Sequence, residues 1–254
     1  MEFTGKLALV TGGGRGIGAA VVDQLSAEGC DVIINDVSAD VARAVAARVE
    51  GRGRRVAIST ADVTDADAVA EMMSMVSREF GRLDILVNNV GGSGGAPTKI
   101  EEITLEHWER AMALNLRSVF LCTKAAIPLM RASGGGRIVN LGSIAGQARS
   151  VIGGCQYAAA KAGVLGFTRH LAADLAPYGI TLNAVAPGTT ASERVAAVIA
   201  GKSESERTRV LNSIPLGRMA RPDEVAAAVV FLCSPQAGYI TGATIDVNGG
   251  AHPR

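Results

Sequence analysis

Tyr157 and Lys161 are separated by three alanines, within an Ala-rich and proline-free run from Gln156 to Asp174. Residues four apart share one face of a helix, so the phenol and the ammonium project the same way. A free phenol titrates near pH ~10 and is a poor base at neutral pH. A fixed cation beside it favours phenolate and turns the pair into an acid/base couple. Such pairs also occur on many solvated helices, so what accompanies this one decides its meaning.

The second stretch with chemistry is the glycine turn Gly12-Gly13-Gly14-Arg15-Gly16-Ile17-Gly18. An apolar run of strand length, Leu7 to Thr11, precedes it, and a helical pattern through Ala19, Val22 and Leu25 follows. Glycines there let the backbone turn sharply and approach a pyrophosphate, whose charge sits against the amides at a helix N-terminus. Asp36 ends the next apolar run, Asp31 to Asn35. A carboxylate at that place accepts hydrogen bonds from an adenosine ribose and repels a 2′-phosphate, which favours NAD over NADP. Arg15 pulls the other way, because a guanidinium pairs with such a phosphate.

These groups need a frame, and the chain supplies an alternation of strands and helices. Helices are expected over residues 39–50 and 65–80, and strands over 55–60 and 84–88. A loose Gly/Pro loop then runs to Lys99, and residues 104–131 read as one long helix containing Asn115. Mid-helix Asn is unfavourable by propensity, so it is either exposed or has a task. Strands at 137–141 and 180–185 deliver Ser143 and Pro187-Gly188, and a helix from Arg221 and a strand at 243–247 close the pattern. The polar segment 189–214 interrupts the rhythm and reads as a mobile lid beside a ligand crevice. With no linker or low-complexity block, residues 1–254 are expected to form one α/β domain around a doubly wound parallel sheet of about seven strands.

Length and composition agree. A chain of 254 residues can bury one core of this kind, and the Gly-rich, aromatic-poor composition suits closely packed helices on parallel strands. A formal net charge of +1 provides no global field for nucleic acid or an anionic membrane. Cys30, Cys122, Cys155 and Cys233 show no metal-site spacing, and a disulfide framework is not expected. The first residues show no signal peptide and no segment is long and apolar enough to span a bilayer, so a soluble cytoplasmic protein is expected.

Thr11-Gly12-x-x-x-Gly16-x-Gly18, Asp62, Asn88-Asn89-x-Gly91, Asn115, Ser143, Tyr157-x-x-x-Lys161 and Pro187-Gly188 occur in the order, and nearly the spacing, of the short-chain dehydrogenases/reductases. The resemblance covers essentially the whole chain, and it implies a Rossmann fold and a homotetramer. It also implies roles. Ser143 would steady the substrate oxygen, Tyr157 would transfer its proton, and Lys161 would lower the Tyr157 pKa and hold the nicotinamide ribose. Asn115, resembling the family's helix-kinking Asn, would hold a water linking Lys161 to solvent. Asp62 and Val63 would contact adenine, Asn89 and Gly91 would lie near the adenosine ribose, and Pro187, Gly188 and Thr189 would line the nicotinamide.

Two departures stand out. Val90 replaces the alanine usual in Asn-Asn-Ala-Gly, and the Ser143–Tyr157 interval is one residue longer than usual. His107, His170 and His252 lack partners at metal or triad spacing, and Cys155 reads as a packed or idle thiol. Arg149 could meet an acidic substrate. The expectation is therefore an NAD(H)-dependent enzyme interconverting a secondary alcohol and a ketone. The alternatives are an NADPH-dependent 3-oxoacyl-thioester reductase and, from another class, a dinucleotide-binding regulator that does no catalysis.

Overall fold

The computed structural model describes residues 2–149, 153–201 and 203–253. Seven strands, β1 (Leu7–Thr11), β2 (Asp31–Asn35), β3 (Val56–Ser59), β4 (Ile85–Asn88), β5 (Gly136–Leu141), β6 (Ile180–Pro187) and β7 (Thr244–Val247), form one sheet. All pairs are parallel, in the order β3-β2-β1-β4-β5-β6-β7. Parallel strands are buried on both faces, which is why β1 is apolar from Leu7 to Val10 and enclosed along its whole length. The order reverses between β1 and β4, so the crevice for a ligand opens outside the carboxyl ends of those two strands.

Alternate residues of each strand feed two cores. Ala8, Val10, Val32, Ile34, Val139 and Val185 face α1 (Gly16–Ala27), α2 (Ala39–Glu50) and α9 (Pro222–Cys233). Leu7, Leu9, Ile33, Leu86, Ile138 and Leu182 face α3 (Ala66–Phe80), α5 (Ser118–Ala132) and α6 (Cys155–Leu175). The expected single α/β domain with a doubly wound sheet is therefore what forms.

One expected element is corrected. The single helix over 104–131 is α4 (Leu105–Met112), a π-helical turn over Ala113–Arg117, and α5. The cause is Asn115, whose Nδ2 donates to the Ala111 carbonyl at 2.9 Å. That carbonyl is the acceptor the Asn115 amide would use in an α-helix, so the ladder slips to wider pairing. The segment 189–214 also holds more order than its polarity suggests. Ser192 caps α7 (Glu193–Ala200) and Ser203 caps α8 (Glu204–Asn212) through a reciprocal bond with Glu206. Among the described residues, no helix is long and apolar enough to cross a membrane.

Candidate active site

The glycine turn joins β1 to α1 at the crevice. A Cβ on Gly18 would collide with the Gly12 carbonyl and stand 2.6 Å from Asn89 Nδ2, so only glycine lets the helix start this close to the strand end. The N-cap of α1 is Arg15, which makes no side-chain cap, and the first turn contains no acid. Its amide donors, those of Gly16, Ile17 and Gly18 among them, are thus left for an anion. Arg15 itself is exposed.

Asn89 braces this turn. Its Nδ2 donates to the carbonyls of Thr11 and Gly12, both at 3.0 Å, and its amide donates to Thr11 Oγ1 at 3.0 Å. At the end of β2, Asp36 is buried, and its two carboxylate oxygens accept the amides of Gly14 at 3.2 Å and Ser38 at 3.0 Å. Asp62 is exposed and accepts both the amide and the hydroxyl of Thr64 at 2.8 Å. The Val63 side chain is enclosed in the core shared with α3. Only its backbone is left to meet an adenine.

The catalytic candidates meet on the other side of the crevice. Lys161 is buried and its Nζ donates to the Leu141 carbonyl at 2.6 Å, at the very end of β5. Its Nζ lies 5.9 Å from the centroid of the Tyr157 ring, which is partly exposed one turn earlier on α6. Ser143 begins the turn after β5, and its Oγ accepts the Ala145 amide at 3.1 Å. Serving there as acceptor leaves its hydroxyl proton for another oxygen. That turn docks on α6 at the lysine, since a Cβ on Gly146 would stand 2.7 Å from the Lys161 and Ala162 backbone.

Asn115 reaches the same point from the π turn. Its Oδ1 accepts the Gly92 amide at 2.8 Å and its Nδ2 donates to the Gly92 carbonyl at 3.0 Å. The segment is seated by Leu116, which occupies the hollow over Gly163 on α6. A Cβ on Gly91 would stand 2.7 Å from Asn115 Oδ1 and 2.9 Å from Lys161 Nζ. These two atoms are therefore at most about 5.6 Å apart, a span one water can bridge. Gly91 is the residue that leaves room for both.

The crevice is closed on its third side by the end of β6. Pro187 is buried, the Gly188 amide donates to the Val247 carbonyl at 2.9 Å, and the Thr189 carbonyl accepts the Ala220 amide at 3.0 Å. From there the chain passes over the glycine turn, where a Cβ on Gly16 would lie 3.5 Å from that of Ser192. Glycine-rich cradle, uncapped helix start and carboxylate thus fit a dinucleotide, and Ser143, Tyr157 and Lys161 stand across from them.

Two contributions escape a reading of the sequence. One is the Leu141 carbonyl, invisible because backbone groups have no type. The other is Gln156, wholly buried beside Tyr157, with Nε2 donating to the Pro97 carbonyl at 3.1 Å. A glutamine in the first turn of an otherwise small-residue helix was the signal for it. Of the remaining candidates, Cys155 and Arg149 are exposed, and His107 caps α4 by accepting the Thr104 amide. The longer Ser143–Tyr157 interval falls partly on residues 150–152, outside the described residues.

Residues 12–252 match a family model described as Enoyl-(Acyl carrier protein) reductase. The chain is 39% identical over 252 residues, 99% of both chains, to the 3-oxoacyl-[acyl-carrier-protein] reductase FabG of Vibrio cholerae serotype O1. It is 41% identical over 250 residues to a 3-oxoacyl-[acyl-carrier-protein] reductase of Synechocystis sp., covering 98% of this chain and 97% of the relative. Among solved structures it superposes on a 7α-hydroxysteroid dehydrogenase complexed with NADH and 7-oxo glycochenodeoxycholic acid. The TM-score there is 0.91 at 30% identity, over 98% of this chain and 95% of that one. Levodione reductase gives 0.91 at 33% identity, over 98% of both chains.

Proposed function

The chain belongs to the short-chain dehydrogenase/reductase family, and from that membership we propose that it uses NAD(H), with Tyr157 as the acid/base, to interconvert a secondary alcohol and a ketone. As a member it is an oxidoreductase acting on CH–OH and C=O groups with a nicotinamide cofactor. The cofactor supplies or accepts the hydride. Gly12, Gly16, Ile17, Gly18, Asp36, Asp62, the Val63 backbone, Gly91, Pro187, Gly188 and Thr189 hold it, while Asn89 braces the turn.

In the reducing direction, the Ser143 hydroxyl donates to the substrate oxygen and steadies the negative charge that develops on it. Tyr157 delivers its proton to that oxygen and is left as phenolate. The Lys161 ammonium stabilises that phenolate, and a water between Asn115 and Lys161 returns a proton from solvent. Segment 189–214 acts as the lid, which excludes water once the substrate is in place.

The observation that supports NAD(H) is Asp36, whose carboxylate is fixed by the Gly14 and Ser38 amides at the end of β2. A 2′-phosphate placed there meets a fixed like charge. Titration with NADH and NADPH, by fluorescence or calorimetry, tests it. Clear NADH preference supports the reading. NADPH preference would overturn it in favour of a 3-oxoacyl-thioester reductase, the reading favoured by the names of the relatives, with Arg15 taking the phosphate. Turnover of acetoacetyl-CoA and of simple secondary alcohols then separates the substrates. Tight binding without turnover across that panel would point to a regulator.

We place the enzyme in the cytoplasm as a homotetramer. Trp108 on α4 and Phe120 on α5 are 38% and 44% exposed, and a Cβ on Gly166 of α6 would meet nothing within 4 Å. Exposed aromatics on α4 and α5, and open space over Gly166 on α6, suit helix packing between subunits. Light scattering after size exclusion checks the assembly.

A further inference from the structure

The loop between β4 and α4 leaves the carboxyl end of β4, beside the proposed substrate site, and its two anchors differ. At Gly92 it is held by both polar atoms of the Asn115 side chain. Five residues on, at Pro97, the tie among the described residues is the 3.1 Å bond from Gln156 Nε2 to the Pro97 carbonyl. Between the anchors the loop's own backbone supplies one bond, Ala96 amide to Ser93 carbonyl at 3.2 Å. Gly92, Gly94 and Gly95 all have positive φ, so the arc has backbone freedom that other residues would remove.

Gln156 is 0% exposed, and its Oε1 has no hydrogen-bond partner among the described residues. A buried carboxamide that uses only its donor runs at a loss relative to an apolar side chain of the same shape. Packing alone does not explain it, since a methionine would fill the space. The fit is tight as well: a Cβ on Gly154 would stand 2.8 Å from the Pro97 carbonyl and collide with Gln156 Oε1. The next residue along the helix is Tyr157.

We propose that Gln156 is a positioning residue that locks the Pro97 end of the substrate loop to the first turn of the catalytic helix, and so fixes the opening between that loop and Tyr157. This rests on the ketone/alcohol reading of the same site. The donor, not the volume, is what matters. Gln156→Met keeps the volume and removes the donor. Gln156→Glu keeps the shape, and donates to Pro97 only when the carboxyl is protonated. Burial raises a carboxyl pKa, which brings that protonation into the working range.

The experiment has two arms. Hydrogen exchange of the 92–99 segment, measured on the full-length apo protein, needs no substrate. Kinetics uses acetoacetyl-CoA or whichever ketone of the panel the wild type turns over, with saturating NADH. Gln156→Met is expected to speed exchange in 93–99 at least tenfold and raise the ketone KM about tenfold. kcat stays within about threefold and NADH affinity is unchanged. The Gln156→Glu KM, divided by that of the wild type, falls as pH is lowered from 8 to 5.5, while the Gln156→Met ratio stays flat. Unchanged exchange, or exchange that rises with no change in KM, would overturn the proposal. So would a fall in kcat and melting temperature with KM unaltered, or a flat Glu ratio. If no ketone is turned over by the wild type, the function reading fails, and the exchange arm still decides whether Gln156 holds the loop.

Discussion

The two edges of the sheet handle buried charge in opposite ways. At the amino edge Asp84, just before β4, accepts Lys6 Nζ at 3.1 Å, the Leu7 amide at 3.0 Å, and Arg82 through two bonds of 2.8 and 2.6 Å. At the carboxyl edge Asp36 is equally buried, yet its partners are two backbone amides and, among the described residues, no cation. A carboxylate matched by counter-ions presents little net charge to anything outside. One held by amide dipoles keeps its charge and its direction, and can discriminate between ligands. The same sheet thus joins strands at one end with ion pairs and, at the other, holds a carboxylate without a counter-ion among the described residues, the group proposed to read the cofactor.

The largest effect should follow from removing the group on which the carboxyl edge converges. Tyr157→Phe retains the ring and deletes the proton donor. Turnover should fall by about 10²–10⁴-fold, the range for a positioned acid/base, with NADH affinity within a few-fold and the melting temperature unchanged. Steady-state rates together with an NADH titration check this. Retained turnover would show that another group transfers the proton, and that the carboxyl edge does not centre on this residue.

Much of this site could be read along the chain, because its spacing is local. The glycine turn, the strand before it and Asp36 lie within one strand-helix-strand unit, and Tyr157 and Lys161 within one helical turn. What escaped depends on partners distant in sequence. A kink at Asn115 was implied by the family resemblance alone, because the π turn needs Gly92 to hold the side chain that captures Ala111, and Gln156 acquires meaning only from Pro97. Val63 faces inward because its loop folds under α3, and a loop has no period from which to infer a face. The helices of segment 189–214 were within reach: Ser203-x-x-Glu206 is a capping box, masked by the polar composition around it.

A second substitution sharpens the contrast at Asp36 itself. Asp36→Ala removes the like charge that opposes a 2′-phosphate and the acceptor offered to a ribose. The ratio of NADH to NADPH affinity should drop about 10- to 100-fold, equivalent to roughly 1.4–2.7 kcal/mol. Titration with both nucleotides reads it directly. An unchanged ratio would mean that the carboxylate does not face the ribose, and that its two amide bonds serve only the glycine turn.

The smallest effect is expected at the amino edge, and there it should appear in stability rather than in chemistry. Burial alone would raise the Asp84 pKa, but the bonds from Arg82, the Leu7 amide and Lys6 outweigh it and leave the carboxyl below its usual value. A group lowered in this way adds stability in full above its unfolded pKa of about 4, and loses it as pH falls through the folded value. Lys6 and Arg82 are 49% and 43% exposed at the side chain, so solvent screens the pairing. The loss in Asp84→Asn at pH 7 is discounted to about 1–2 kcal/mol, or roughly 2–8 °C in melting temperature. The gap to the wild type should close as pH drops below about 4, because protonation removes the same charge from the native protein. Cofactor preference and turnover at 25 °C should stay within twofold, since Asp84 lies at the far end of β4 from the crevice. A gap that persists in acid would assign the stabilisation to shape rather than charge. A change in NADH preference would show that the two edges are coupled through the sheet.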